Sequence, residues 1–135
     1  MPPFERTVCG CADDVANCRR QPGPIGPGDL ERIAAHLSEP VTSVLRWFKA
    51  SPGAVVLDRR TGSMVRVGSI TPRQNSDGSC IFLKNDRCQI HPVAPFGCAY
   101  FDVHMDAEEG NRRAMWLVQR HATPAFQALR ALVDV

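Results

Sequence analysis

The sequence predicts a small α+β domain, in which helices flank a short antiparallel sheet. Three observations lead to this class. Apolar residues recur at helical spacing over residues 29–50, residues 54–57 and 63–70 are rich in β-branched side chains, and helical spacing returns after residue 106. A chain of 135 residues is the usual size of one domain. We therefore expect a single domain that spans residues 1–135.

Two helices are predicted in the first half of the chain. They follow residues 21–28, a connector so rich in Pro and Gly that it cannot continue a helix or a central strand. Residues 29–38 then carry an apolar stripe behind an N-cap at Asp29, and His36 falls on its outer side. Residues 40–50 show a second stripe, and Pro40 suits the first turn of a helix.

The middle of the chain predicts two hairpins. Residues 54–57 and 63–70 are rich in β-branched side chains, and the polar stretch between them is a good hairpin connection. Residues 80–83 and 87–90 are two shorter strand-like pieces around a turn. This turn would bring Cys80 and Cys88 to comparable heights on neighbouring strands.

The C-terminal part predicts two more helices. The first spans about residues 106–121, with Ala114, Leu117 and Val118 directed inward. The second begins at the pair Thr123-Pro124, which supplies a cap and a first-turn proline.

Charge and hydropathy exclude several classes of partner. Sixteen basic and fourteen acidic residues give a net charge of +2, and they are spread without long blocks of one sign, so the sequence does not indicate nucleic acid. The N-terminal stretch lacks the apolar core of a signal peptide, and no run reaches the roughly eighteen apolar residues of a membrane span. We expect a cytoplasmic protein that does not bind a membrane.

The cysteines are the most informative residues. There are six, arranged as the triplets Cys9, Cys11, Cys18 and Cys80, Cys88, Cys98. In a reducing cytosol, clustered cysteines are more often metal ligands or redox catalysts than disulfides. Their flanks are rich in Gly, Asp, Asn, Arg and Pro, which is typical of loops. We therefore expect one cysteine-ligated metal site in preference to core cysteines or a disulfide framework.

The spacing of the cysteines bears on the metal. A zinc ribbon normally offers Cys-x2-Cys knuckles, and this sequence contains none. Ligands drawn singly from several loops favour an iron–sulfur cluster or a two-metal thiolate centre, with zinc as the alternative. A Zn2Cys6 DNA-reading cluster also uses six cysteines, but its ligands lie closer together in sequence and its helix is basic, whereas Asp13 and Asp14 occupy the comparable gap here.

A resemblance to a known family rests on the second triplet. The residues Phe82-Leu83, then Cys88-x-Ile90-His91-Pro92, then Pro95-x-x-Cys98 resemble the pattern of the YkgJ-like cysteine-cluster family, which is described as a zinc- or iron-chelating domain. The N-terminal triplet and the following Asp29-x-x-Arg32-Ile33 are similar to its cysteine cluster and helix. The resemblance covers residues 9–102. It implies that Cys9, Cys11, Cys18, Cys80, Cys88 and Cys98 form the metal-binding set.

Histidine and carboxylate side chains could complete the site. The first triplet lacks the adjacent cysteine pair usual in the family, which leaves room for His91 or a solvent molecule as a further ligand. The ordinary interpretation of His91 is a ring bonded to loop carbonyls ahead of Pro92. Asp102, His104 and Asp106 alternate and could lie on one face. A mononuclear iron site there would need a second histidine, from His121, His91 or His36, and a polar strand edge that leads into a helix cap is the favoured interpretation.

Three functional hypotheses follow from these residues. The first is an iron–sulfur or iron–thiolate protein that serves electron transfer, metal handling or the support of a partner enzyme. The second is a zinc-stabilised protein-interaction module, in which the metal only folds the chain. The third is a metalloenzyme with an open coordination position, which would use His91 or the pair Asp102 and His104. The sequence leaves the oligomeric state and the redox or enzyme partner open.

Overall fold

The computed structural model of the chain describes residues 2–7, 22–85, 87–102 and 104–133. The α-helices in these ranges are α1 (Asp29–Leu37), α2 (Val41–Val44), α3 (Phe96–Ala99), α4 (Ala107–His121) and α5 (Pro124–Val133). The strands are β1 (Phe48–Ser51), β2 (Val56–Asp58), β3 (Ser63–Val65), β4 (Ser69–Pro72), β5 (Leu83–Lys84) and β6 (Arg87–Cys88). Short 3-10 helices lie at Leu45–Trp47 and His91–Val93.

These elements confirm the small α+β class with short antiparallel sheets and flanking helices. In the described part of the chain, the strands form separate antiparallel pairs, β1 with β4, β2 with β3, and β5 with β6. Within the same ranges, no helix combines the length and the apolar character that crossing a membrane requires.

The prediction of one helix over residues 40–50 is wrong beyond Trp47. The chain forms α2 and the short 3-10 helix, and then turns extended as β1, which pairs with β4 from Phe48 opposite Pro72 to Ser51 opposite Ser69. Phe48 is fully buried, so the apolar residue that continued the helical pattern belongs to a core strand instead. A short apolar run fits both structures, and here the pairing with a distant strand decides.

The prediction of one strand over residues 63–70 is also wrong. The stretch is interrupted between Val65 and Ser69, so that β3 pairs with β2 while β4 pairs with β1. The Arg130 guanidinium of α5 donates to the backbone oxygens of Ser69 (3.1 Å) and Ser51 (3.0 Å). The last helix thereby fixes the beginning of β4 against the end of β1.

The predicted match between Cys80 and Cys88 fails by three residues. Leu83 lies opposite Cys88, and Lys84 lies opposite Arg87. Cys80 instead forms an isolated antiparallel bridge with Gln74. The hairpin is therefore shorter than predicted, with Leu83–Lys84 paired to Arg87–Cys88, and Cys80 lies outside it.

Two apolar clusters stabilise the fold. The main core packs α1 against the strands and contains fully buried Ile33, Phe48 and Ile70 together with Cys80. The aromatic cluster lies around α3 and α4, where the Phe96 ring stacks on Tyr100 and on Trp116 at centroid distances of 4.6 and 5.4 Å. The segment that carries Cys98 therefore belongs to a different cluster from the segment that carries Cys80.

The helix α4 matches its prediction closely. The Asp106 carboxylate accepts from the Glu109 amide at 2.8 Å, which caps the first turn as expected for this residue type. Leu117 and Val118 are buried, and Ala114 is half-buried. The predicted helix after Thr123 is confirmed as α5.

Candidate functional site

The structure places only part of the predicted metal-binding set. Cys9, Cys11 and Cys18 lie outside the described residues. Cys80 is buried and belongs to the main core, where the half-buried Cys88 also packs. Cys98 is half-buried in α3 and packs against the aromatic cluster, and His91 is exposed at the start of its 3-10 helix.

The described cysteines do not form a metal site by themselves. In residues 2–7, 22–85, 87–102 and 104–133, no three His, Cys, Asp or Glu side chains are grouped so that they could hold a metal ion. No disulfide joins any two of Cys80, Cys88 and Cys98. A site that uses these thiols therefore requires ligands from other parts of the chain, and the convergence of both triplets stays a prediction.

Cys98 lies where the chain re-enters after residues 8–21. The Gly23 amide donates to its Sγ at 3.3 Å, and the Gly97 amide donates to the Pro24 oxygen at 2.8 Å. The two glycine backbones pass so close that a Cβ on Gly23 would lie 2.3 Å from the Gly97 carbonyl carbon. The crossing of residues 22–24 over α3 thus positions the Cys98 thiol.

The chain also enters the segment 8–21 beside the same helix. The Thr7 amide donates to the Ala99 oxygen at 2.8 Å, and its hydroxyl lies 3.2 Å from that oxygen. The Arg6 guanidinium donates to the His91 backbone oxygen at 3.2 Å. Both ends of the segment that carries Cys9, Cys11 and Cys18 are therefore held next to α3.

Asp29 is the residue that links the connector before α1 to α3. Its Oδ2 accepts from the amides of Gly26 (2.6 Å) and Phe96 (2.8 Å), and its Oδ1 accepts from Arg32 (2.5 Å). The carboxylate is almost completely buried. Its prediction as the N-cap of α1 is wrong, because Gly28 holds that position with a φ of 77°.

The other candidate polar residues have structural roles. The His36 ring lies on the exposed side of α1 as predicted, with Nε2 3.2 Å from the Gln89 oxygen in the loop after Cys88. The Asp102 carboxylate accepts from the His104 amide at 2.8 Å, and Asp106 caps α4. The favoured interpretation is confirmed for the cap at Asp106, but its strand edge is wrong, because the described residues 101–102 and 104–106 form no strand.

His121 is a buried residue whose role the sequence did not reveal. Its ring is 3% exposed, stacks on Phe126 at a centroid distance of 4.3 Å, and has Nε2 2.8 Å from the Ile25 oxygen. Burial lowers the pKa of His121 below its ordinary value, and the hydrogen bond to the Ile25 carbonyl opposes this only in part. The ring is therefore neutral at pH 7.

The lowered pKa of His121 predicts a loss of stability in mild acid. Because the unfolded chain binds the proton more readily than the folded one, this contribution to stability is complete above the unfolded pKa of about 6.5 and is lost as the pH falls below it. We expect the melting temperature to fall between pH 7.5 and 5.5, and the fall to shrink in His121→Gln. The exposed His36→Gln is the control. An equal fall in all three proteins would contradict the prediction.

Comparison of the chain with protein-family models, with curated proteins and with solved structures finds no match. The resemblance to the YkgJ-like family therefore rests on the sequence motifs alone, and it stays a prediction.

Proposed function

We propose that this chain is a metal-binding protein that holds an iron–sulfur cluster or another iron–thiolate centre through its two cysteine triplets. The observation that supports the proposal is that Thr7 and Gly23, which flank the segment 8–21, both bond the helix that carries Cys98. Three of the cysteines are on this segment, and a fourth, Cys98, accepts the hydrogen bond from Gly23.

Covalent geometry limits how far the first triplet can lie from Cys98. An extended chain spans at most about 3.6 Å per residue, so the Cα of Cys9 lies within roughly 7 Å of the Cα of Thr7. By the same measure, Cys18 lies within about 18 Å of Gly23. Thr7 bonds the residue after Cys98, and Gly23 bonds Cys98 itself. Covalent geometry therefore keeps Cys9 and Cys18 within these distances of residues that bond α3, and it allows the first triplet to come close to the Cys98 thiol.

The immediate surroundings of Cys98 suit a thiolate ligand. The sulfur accepts a backbone N–H bond from Gly23, and hydrogen bonds to the sulfurs are one of the ways in which proteins set the potential of iron–sulfur centres. Cys98 is half-buried, so it is partly shielded from water. Cys88 is also half-buried, whereas Cys80 packs in the main core and bridges to Gln74.

A thiolate centre of this kind would supply one-electron chemistry or a store of iron. This chain's own role is to present the thiols, with Thr7 fixing the start and Gly23 the end of the segment that carries the first triplet. This role is compatible with electron transfer to a protein partner, with metal handling and with support of a partner enzyme. The Arg6 guanidinium donates to the backbone oxygen of His91, and the ring of this residue is the candidate non-thiol ligand.

We expect protein purified anaerobically from iron-supplemented cells to be brown and to contain iron with acid-labile sulfide. Replacement of Cys98 by serine should remove at least half of the bound iron and the visible absorption, because one of the proposed thiolate ligands is lost. Ala122→Ser, an exposed site after α4, is the matched control and should keep both. Circular dichroism of the variants separates the loss of a ligand from the loss of the fold.

Two results would contradict the iron proposal. A colourless protein with stoichiometric zinc would instead favour the zinc-stabilised interaction module. A protein that folds and contains neither metal would overturn metal binding altogether.

His91→Ala should shift the visible spectrum only if its ring is a ligand.

A further inference from the structure

A cavity of about 300 Å³ lies beside the crossing of residues 22–24 over α3 and forms a second candidate site. Its walls are largely apolar and come from β2, the stretch before β4, and α4, with Val56, Val67, Leu117 and Val118 among them. Engineered apolar cavities of about 150 Å³ already hold one benzene ring, so the space is sufficient for a ring with a substituent. The described lining residues include no Lys, Arg, Asp or Glu, so nothing in them would compensate a charged ligand.

The polar side chains in these walls are Ser69 and His121, both 3% exposed. The Ile25 oxygen can only accept a hydrogen bond, so the His121 Nε2 at 2.8 Å from it carries the hydrogen. In a neutral imidazole the other nitrogen is then an acceptor with an available lone pair. The ring therefore presents Nδ1 as a hydrogen-bond acceptor.

The unused atoms of both side chains open into this cavity. Among the described residues, neither the His121 Nδ1 nor the Ser69 hydroxyl has a hydrogen-bond partner, since the contacts of these residues involve Nε2 and the Ser69 backbone. The same part of the chain nevertheless contains no fully buried polar side-chain atom without a partner. Both atoms must therefore reach accessible space, and the cavity is the space that these two residues line.

We infer that this cavity binds a small neutral aromatic alcohol of the phenol class. The apolar walls would receive the ring, and the ligand hydroxyl would donate to the His121 Nδ1, with Ser69 as a further partner. A purely apolar occupant would remove water from the His121 Nδ1 without offering a hydrogen-bond donor in its place. This loss disfavours such an occupant. The inference concerns a site outside the cysteine set and does not depend on the metal.

The test compares phenol with toluene, which has nearly the same shape but no hydroxyl. Both are titrated into the 15N-labelled protein as purified, and binding is followed by calorimetry and by the ring nitrogen signals of His121. We expect phenol to bind at least fivefold more tightly than toluene, the ratio that one hydrogen bond supplies. Phenol and not toluene should move the Nδ1 signal. Equal affinities, or no saturable change with either probe, would overturn the inference.

Three variants distinguish the effect of the hydrogen bond from the effect of the cavity volume. His121→Phe keeps a ring of similar size and should bind phenol no more tightly than toluene. Ala114→Leu adds bulk to the wall and should weaken both probes, whereas Ala122→Leu on the exposed end of the same helix should weaken neither. If His121→Phe does not fold, the Nδ1 signal of the unmodified protein decides: a shift with phenol alone supports the site, and its absence overturns it.

Discussion

Replacement of Asp29 by alanine is expected to lower the free energy of unfolding by about 3 kcal/mol. The carboxylate is 2% exposed and accepts from the amides of Gly26 and Phe96, which are both buried. Removing it leaves two buried N–H donors without a partner, at about 1–3 kcal/mol each. One of these donors begins α3, so the loss should also loosen the helix that carries Cys98.

Chemical denaturation of Asp29→Ala and of the unmodified protein measures this effect. Glu31→Ala is the matched control, because it removes a carboxylate from the same turn of α1 where the side chain is exposed, and it should change the stability by less than about 0.5 kcal/mol. Asp29→Asn should lie between the two, since its amide oxygen can still accept from one of the amides. Equal stability of Asp29→Ala and Glu31→Ala would show that the buried contacts contribute little.

The fold was predictable where the signals were local. A cap, a long apolar stripe and a proline in the first turn lie within a few residues of one another, and α1, α4 and α5 appear close to where these signals placed them. The predictions failed at Phe48 and at Ser69, because their strands pair with each other across about twenty residues. Nothing local distinguishes a short apolar stretch that ends a helix from one that enters a sheet.

The sequence shows which residues are candidates for the site, but it does not show how they are arranged. The two cysteine triplets are visible in the sequence, whereas the contacts that position Cys98 are not. The Asp29 carboxylate bonds an amide 67 residues away, and the His121 ring bonds a carbonyl 96 residues away. An Asp at the start of a helix is ordinarily read as a cap, and a His late in a helix as a surface residue. Only the tertiary packing shows that both are buried.

The second large effect is expected at Gly97, where the structure leaves no room for a side chain. A Cβ there would lie 2.2 Å from the Pro24 Cδ, 2.5 Å from the Pro24 nitrogen and 2.7 Å from the Gly23 Cα. These atoms belong to the backbone and to a rigid ring, so residues 22–24 must move away from α3 to make room for the methyl group. We expect Gly97→Ala to destabilise the protein by about 3 kcal/mol, at the upper end of the usual cost of overpacking.

Gly110→Ala provides the matched control, because the same methyl group is added in α4 where no atom lies within 4 Å. There the substitution should stabilise the protein by about 0.5–1 kcal/mol, since alanine favours a helix interior over glycine. The opposite signs of the two changes, measured by denaturation, test the crossing directly. A Gly97→Ala protein as stable as the unmodified chain would mean that residues 22–24 do not pack on α3 this closely. If Cys98 is a metal ligand, Gly97→Ala should also lower the bound iron while Gly110→Ala leaves it unchanged, because only the first substitution displaces the Gly23 amide from the Cys98 sulfur.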